Sequence, residues 1–471
     1  MSRETESTKK DYLERLRSGE ELRVGELIRM IFTLSVPAIM AQISVIVMQY
    51  IDASMVGRLG AEGSAAIGLV SSSTWLFGGL GMALGMGFTV QCAQQIGAGN
   101  EEDARNLVRQ GMFITFLFSV LLSVIGAAVS GRLPVWIGGD PAICPNSSVY
   151  FLIFALFYPI DRIGFLCGGF LQASGNMKTP GLTNVATCFL DVIFNALLIF
   201  PGMTLLGMHI PGAGLGVLGA ALGTGLAKLC GMLYLLRALY VSSPALHSRK
   251  GEKMKLRKNQ IVKALKIAAP IAAENAVMNT AQITSTRIVA PLGTAAVAAN
   301  SLSVTAESLC YMPGYGIASA ATSIIGQSIG AGRRETTKKI GWITTFLGMA
   351  IMTVSGILMY LAAPYMISFL SPDPQVIALG TKVLRIEAFA EPMFAASIVA
   401  TGVMRGGGDT LVPAVLNLVC MWLIRIPLAL YLAPRIGLEG VWLAMCIELC
   451  VRGVLFLIRE AQGKYVRKQT A

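Results

Sequence analysis

Apolar positions in this chain come in long blocks separated by short polar stretches. Twelve such blocks can be drawn: 28–55, 62–90, 107–131, 149–171, 181–202, 214–238, 261–290, 295–321, 340–370, 382–404, 412–433 and 438–459. A helix needs about 20 apolar residues to cross a bilayer, and each block supplies that number or more. The fold class expected is therefore all-α and polytopic, with about twelve transmembrane helices.

The blocks are related to one another. Val36-Pro37-Ala38 opens a stretch that runs to Gly60, and Ala269-Pro270-Ile271 opens one that runs to Gly293, 233 residues later. The same offset carries Gly81 onto Gly314, Ile96-Gly97-Ala98-Gly99 onto Ile329-Gly330-Ala331-Gly332, and Asp140-Pro141 onto Asp373-Pro374. It also carries Pro159 onto Pro392, Gly175 onto Gly408, Pro180 onto Pro413 and Asn184 onto Asn417. Glycine and proline constrain the backbone most, so their coincidence at one offset predicts an internal duplication. Register is lost after the fifth block, where the first half has the longer loop, Gly202 to Gly216 against Ala433 to Gly437.

An even number of helices per repeat makes both repeats enter the membrane from the same side. They are then related by an axis along the membrane normal, the arrangement of transporters built from parallel repeats. The expected layout is an N-terminal tail (1–26), a six-helix bundle (27–240), a basic linker (241–260), a second six-helix bundle (261–460) and a basic tail (461–471). Two such bundles are expected to enclose a cleft.

Composition narrows the class. Of 471 residues, 54% are hydrophobic and 14% charged, with a mean hydropathy of +0.65. A soluble domain usually carries about 25% charged residues, so this chain has too little polar surface for one. The 51 glycines suit close helix packing in lipid. The net charge of +12 lies mostly in short loops and tails, among them Arg105, Arg109, the 247–263 linker, Arg333, Arg334, Lys338, Lys339 and the C-terminus. That distribution reads as topology, with both termini and the linker cytoplasmic, and excludes a nucleic-acid footprint. The nine cysteines form no CxxC pair and fall mostly in apolar blocks, so no disulfide and no structural metal site is expected. The first 26 residues hold no apolar run, so no cleavable leader is expected. There is no GxxxxGK[ST] phosphate loop, and no enzymatic activity is expected.

Acids inside apolar blocks are expensive in lipid and become the candidate chemistry. Asp52 lies in the outer part of the first block. Asp191 and Asn195 lie in the fifth at i, i+4, on one helix face. Glu274 follows Pro270 by four residues, where the proline frees a backbone carbonyl. Glu307 sits in the eighth block, and Glu391 precedes Pro392 in the tenth; Arg425 in the eleventh is a structural charge partner for one of them. Glu448 and Arg452 are spaced to pair locally. Asp161 and Arg162 are adjacent and so should not face each other, which sends Arg162 to some other partner; Lys228 is left unassigned, with a stem long enough to snorkel. Arg405 and Asp409 are read as parts of a turn. The aromatics Trp75, Phe77, Phe151, Phe154, Tyr158 and Tyr311, with the 23 methionines, suit the lining of a cavity for varied hydrophobic cations.

Three segments carry a family resemblance: Asp52-Ala53-Ser54-Met55-Val56-Gly57-Arg58-Leu59-Gly60, Gln327-Ser328-Ile329-Gly330-Ala331-Gly332 and Met404-Arg405-Gly406-Gly407-Gly408-Asp409-Thr410. Leu171 to Pro180 is the first-half counterpart of the last, and Glu307 to Gly314 is a further match to one bacterial branch. Over essentially its whole length the chain resembles the multidrug and toxic compound extrusion (MATE) family. That resemblance implies a secondary antiporter of the cell membrane that exports organic cations and amphipathic compounds as Na⁺ or H⁺ flows in. It implies no cofactor beyond the coupling ion, no partner beyond substrate and bilayer, and a monomer. It implies a coupling role at Asp52; Asp191 and Asn195, polar groups in an apolar helix of the same bundle, are expected to line a Na⁺ site with it. The family commonly reads Asn then Asp in the fifth helix, whereas here the order is Asp191 then Asn195. Lipid-linked oligosaccharide flippases of similar shape supply the alternative reading.

Overall fold

The computed structural model describes residues 12–205, 208–247, 252 and 254–466. Among them the helices fall into twelve membrane-length segments. The first six are Val24–Gly57, Ala61–Gly97, Glu101–Val129, Cys144–Ala173, Lys178–Ile199 and Gly216–Arg237. The second six are Lys258–Val289, Thr294–Gly330, Arg334–Leu370, a tenth in two pieces (Pro374–Glu387 and Glu391–Gly406), Leu411–Ile436 and Leu438–Ala461. Among the described residues, nine are long and apolar enough to cross a membrane by themselves. The seventh, eighth and tenth fall short. The seventh carries Lys263, Lys266, Glu274 and Arg287, and the tenth is interrupted at 388–390. Besides helices, the long loop after the fifth forms a small antiparallel hairpin, Gly202–Leu205 with Met208–Pro211.

The duplication is visible in the turns. Gly60 and Gly293 end the first turn of each half at φ +94° and +103°. Gly99 and Gly332 share +77° and +75°, and Gly175 and Gly408 share +90° and +81°. Only glycine adopts that region without strain, which is why the offset preserves it. Polar turn contacts repeat as well. Asp140 accepts from the Ala142 N–H and Asp373 from the Gln375 N–H, both at 2.8 Å. Asn176 accepts from the Thr179 N–H and Asp409 from the Val412 N–H.

The halves differ inside their helices. Pro159 lies within an unbroken fourth helix, whereas its counterpart Pro392 begins a new piece after the break at 388–390. The eleventh helix widens into a π turn, Cys420–Arg425, ahead of Pro427, while the matched stretch of the fifth helix is regular. Proline cannot donate to the preceding turn, and both irregularities sit where that donor is missing.

By compactness the chain forms two units. One holds Ser44–Cys92 and Asn100–Ala268; the other holds the residues up to Ile43, Ala93–Gly99 and everything from Ala269. They are called here the N-terminal and C-terminal units. The first, second and seventh helices each supply residues to both.

Within the N-terminal unit the inter-repeat linker is stapled to the start of the third helix. Asn106 donates to the Lys255 carbonyl at 3.0 Å and accepts from the Lys255 N–H at 2.9 Å. Gln110 donates to the Arg257 carbonyl and Gln91 to that of Gln260. Arg257 pairs with Asp103 at 2.8 Å, and buried Arg105 holds Glu252 at 2.9 Å together with Arg109. Hydrogen bonds from Arg105, then Arg109, hold the Glu252 carboxyl below the usual carboxylate range. A carboxyl lowered in this way contributes stability above its unfolded-state value, which is lost as pH falls through the lower folded value. Hydrogen exchange of the 254–260 amides should accordingly stay slow from neutral pH down to the ordinary carboxylate range and rise only in stronger acid. Glu252→Ala should speed it about tenfold at neutral pH, the weight of one charge-assisted hydrogen bond.

Candidate functional site

The first and fifth helices bring Asp52, Asp191 and Asn195 together. Asn195 donates one amide hydrogen to Asp52 Oδ1 at 2.9 Å and the other to Asp191 Oδ2 at 3.1 Å. Asp191 and Asn195 are fully buried, and Asp52 is partly so. The i, i+4 spacing of Asp191 and Asn195 makes this arrangement achievable in either order. Asn195 bridges the two acids, and the Asp191 carboxylate also lies close enough to Asp52 to interact with it directly. Among the described residues neither carboxylate is salt-bridged. Lys228, the base whose charge reaches Asp52, is itself paired with Asp161 at 3.0 Å. Two carboxylates thus share one neutral amide, and Asp191 Oδ1 has no hydrogen-bond partner among the described residues.

The sixth helix fixes the amide. A Cβ on Gly223 would strike the Asn195 side chain, and one on Gly219 would strike the Leu198 carbonyl. This Gly-xxx-Gly spacing is the signal for close packing of membrane helices, and it is readable in the chain. Sequence reasoning did not attach it to the site.

In the C-terminal unit the corresponding helices make a different contact. Asn417 donates to Glu274 at 2.6 Å, and Arg405 donates to the same carboxylate at 3.0 Å. Glu274 is therefore a neutralised acid, tied to the tenth and eleventh helices, and Arg405 does more than shape a turn. Asp52 to Asn195 and Glu274 to Asn417 both span 143 residues. Helices running in the same direction keep a constant residue offset along their contact, and the two halves share that register. The position matching Asp52 is Ser285, so the contact has moved 11 residues along the seventh helix, about 16 Å.

Glu307 and Glu391 lie in a second group with Glu387, Glu448 and Arg452, all buried, and half-buried Arg425. Glu387 is within electrostatic reach of Glu307, Glu391, Arg425 and Glu448. Arg452 Nε lies 3.2 Å from Glu448, with its guanidinium over the Phe394 ring. Glu387 was missed in the sequence because no proline or motif marks it. Its place, at the last residue before the break in the tenth helix, becomes visible only with the fold.

One expectation is corrected. Arg162 pairs with its neighbour Asp161, through Nε at 2.9 Å and also through Nη2, and donates to the Gly78 carbonyl at 2.9 Å. Backbone positions i and i+1 diverge, but a guanidinium on a three-carbon stem folds back far enough to meet the carboxylate. Asp161 thereby joins Arg162 and Lys228 in one network. The aromatics Phe77, Phe151, Phe154 and Tyr158 pack against one another with centroids 5.8–6.5 Å apart. Phe151 and Tyr158 are buried in that packing, and Tyr158 donates to the Phe77 carbonyl. Tyr311 packs on Tyr315 and Phe394, and Trp75 is exposed.

Among the described residues, twelve membrane-length helical segments in two like halves, with carboxylates held among them, define a multi-pass membrane transporter. The chain belongs to the MatE family, whose model matches residues 37–197 and again 270–431, two copies starting 233 residues apart. It is 24% identical to the probable multidrug resistance protein NorM of Thermotoga maritima, over 94% of each chain. It is 24% identical to the multidrug resistance protein MdtK of Yersinia pestis, over 92% of this chain and 94% of that one. In fold it is similar to the Vibrio cholerae MATE transporter VcmN in the bent form, with a TM-score of 0.84 and 18% identity over 93% of this chain and 97% of that one. A MOP superfamily transporter from Pyrococcus furiosus matches with a TM-score of 0.87 at 19% identity, over 97% and 98%.

If Gly223 exists to admit the Asn195 amide, Gly223→Ala should lower stability by about 1–3 kcal/mol through overpacking. Thermal unfolding in detergent measures this. In the double variant with Asn195→Ala the space is vacated, so the two losses should be clearly less than additive.

Proposed function

We propose that this protein is a secondary active exporter of organic cations and other amphipathic compounds, exchanging them by alternating access for inward-moving Na⁺ or H⁺. In this reading it works in the plasma membrane as a monomer with both termini cytoplasmic. The names of its relatives, multidrug resistance proteins over nearly their full length, support the substrate class. The observation that carries the coupling is the Asp52–Asn195–Asp191 bridge. Two carboxylates joined by an uncharged amide in a lipid-shielded bundle retain negative charge, which a proton or a sodium ion there would offset. Low dielectric magnifies that charge, and an ion binding there shifts the conformational equilibrium by its differential affinity for the two states. Glu307 and Glu391 are the remaining candidates for coupling. Glu274, held by Arg405 and Asn417, acts only in a state where that pair opens.

The flippase alternative would call for bases free to hold a pyrophosphate. Arg162 and Lys228 are paired with Asp161 and Arg405 with Glu274, while Arg425 faces three carboxylates. That pairing favours cationic cargo.

Efflux of ethidium from proteoliposomes, under an imposed Na⁺ gradient and then an imposed pH gradient, tests the reading. One of the two gradients should drive export. Asp52→Asn should reduce gradient-driven export at least about tenfold with expression and folding intact; normal export by that variant removes Asp52 from the mechanism.

A further inference from the structure

Residues 12–18 are helical and precede the first membrane helix. Leu13, Leu16 and Arg17, at i, i+3 and i+4, share one side of this arm. Both leucines are buried, and Arg17 is half-buried. Arg17 donates from Nε at 3.2 Å and from Nη2 at 3.0 Å to Oε1 of Gln327, near the end of the eighth helix. Gln327 is fully buried. The arm is also fastened at its base. Arg15 pairs with Glu20 at 2.6 Å and with Glu26, in the first turn of the first helix, at 2.9 Å. Between them the chain turns at Gly19, φ +98°, beside the Arg333 guanidinium.

Gln327 is one half of a paired contact. A Cβ on Gly97 would strike the Gln327 carbonyl, and one on Gly330 would strike the Gln94 carbonyl, each at 2.0 Å. Gln94 and Gln327 are matched by the 233-residue offset, and so are Gly97 and Gly330. The ends of the second and eighth helices therefore cross backbone to backbone, each glycine seating the other helix's glutamine carbonyl. All of these residues, the arm included, belong to the C-terminal unit. The two sides of the crossing differ in one respect. Gln94 Oε1 has no hydrogen-bond partner among the described residues, whereas Gln327 Oε1 accepts both bonds from Arg17. Hydrogen bonds from a charged donor are the stronger kind, so the arm adds weight to one side of a contact that the duplication made symmetric.

We propose that residues 12–26 are a latch: by holding the Gln327 side chain, Arg17 keeps the second and eighth helices crossed, and the crossing parts only when the arm lets go. The consequence for transport rests on the exporter reading above, in which this end of the helices is cytoplasmic and cargo enters after the crossing opens. The arm then governs the rate of that step while touching neither cargo nor coupling ion.

Hydrogen exchange of the full chain in nanodiscs reads the crossing without any transport. The Ala98 and Gly99 amides bond within the end of the second helix, and those of Ala331, Gly332 and Arg333 within the end of the eighth. Arg17→Ala should speed both sets together, about tenfold, the weight of a hydrogen bond to a charged group. Arg17→Lys keeps a charged donor for the same oxygen and should restore most of the protection. In proteoliposomes Arg17→Ala should raise the initial rate of gradient-driven ethidium efflux severalfold, whereas loss of a merely structural contact would lower it. Faster exchange confined to the arm's own Glu26 and Leu27 amides would overturn the latch, as would an efflux rate unaltered or lowered while the wild type exports. If the exporter reading alone is wrong, the exchange results stand and neither the wild type nor Arg17→Ala exports under either gradient.

Discussion

One carboxamide between two carboxylates, two of the three groups fully buried, governs the N-terminal unit. Both hydrogens of Asn195 are committed, one to each acid, and among the described residues nothing charged completes the set. In water such a trio would be worth little. Among apolar helices each uncompensated charge is felt strongly, and the geometry of the donors decides how much of it is offset. That geometry is held from outside the trio. The sixth helix comes close enough to confine the amide only because Gly219 and Gly223 have no side chains. Lys228, which could neutralise Asp52, is detained by Asp161.

The C-terminal unit solves the equivalent packing problem with the opposite electrostatics. The same two helices touch at the same 143-residue separation, again through an asparagine and an acid, yet there an arginine closes the circuit. Its uncompensated acids lie elsewhere, around the broken tenth helix. The backbone punctuation of the halves has been kept almost position for position, as Gly60 and Gly293 or Asp140 and Asp373 show. The polar chemistry between those marks has moved.

Much of the architecture is legible in the residues alone, because bilayer thickness imposes block lengths and turn geometry imposes glycine. The twelve blocks, the 233-residue offset and the shared face of Asp191 and Asn195 follow from such local rules. Helix ends are less legible. The third and ninth helices begin at Glu101 and Arg334, ahead of the apolar blocks at 107 and 340, since a helix can continue past the membrane on charged residues that hydropathy does not register. Glu274 reads as a free acid in the sequence because its partner Arg405 is 131 residues away. Arg162 does reach another partner, the Gly78 carbonyl, but it also meets its neighbour Asp161, a contact excluded by a rule about backbone directions that a long side chain does not obey. Glu387 lacks any mark, since the feature that gives it meaning is an interruption in a helix that the apolar block runs straight across.

The divergence of the halves bears on how such a chain could have arisen and what it can now tolerate. Turn glycines and capping residues are interchangeable between the copies, so recombination that swaps loops at matched positions would preserve folding. Exchanging helix interiors would not preserve work: a tandem of two first halves would carry the Asp–Asn–Asp bridge twice, and a tandem of two second halves would lack it. Duplication here supplied a scaffold in two impressions, and specialisation made each of them indispensable.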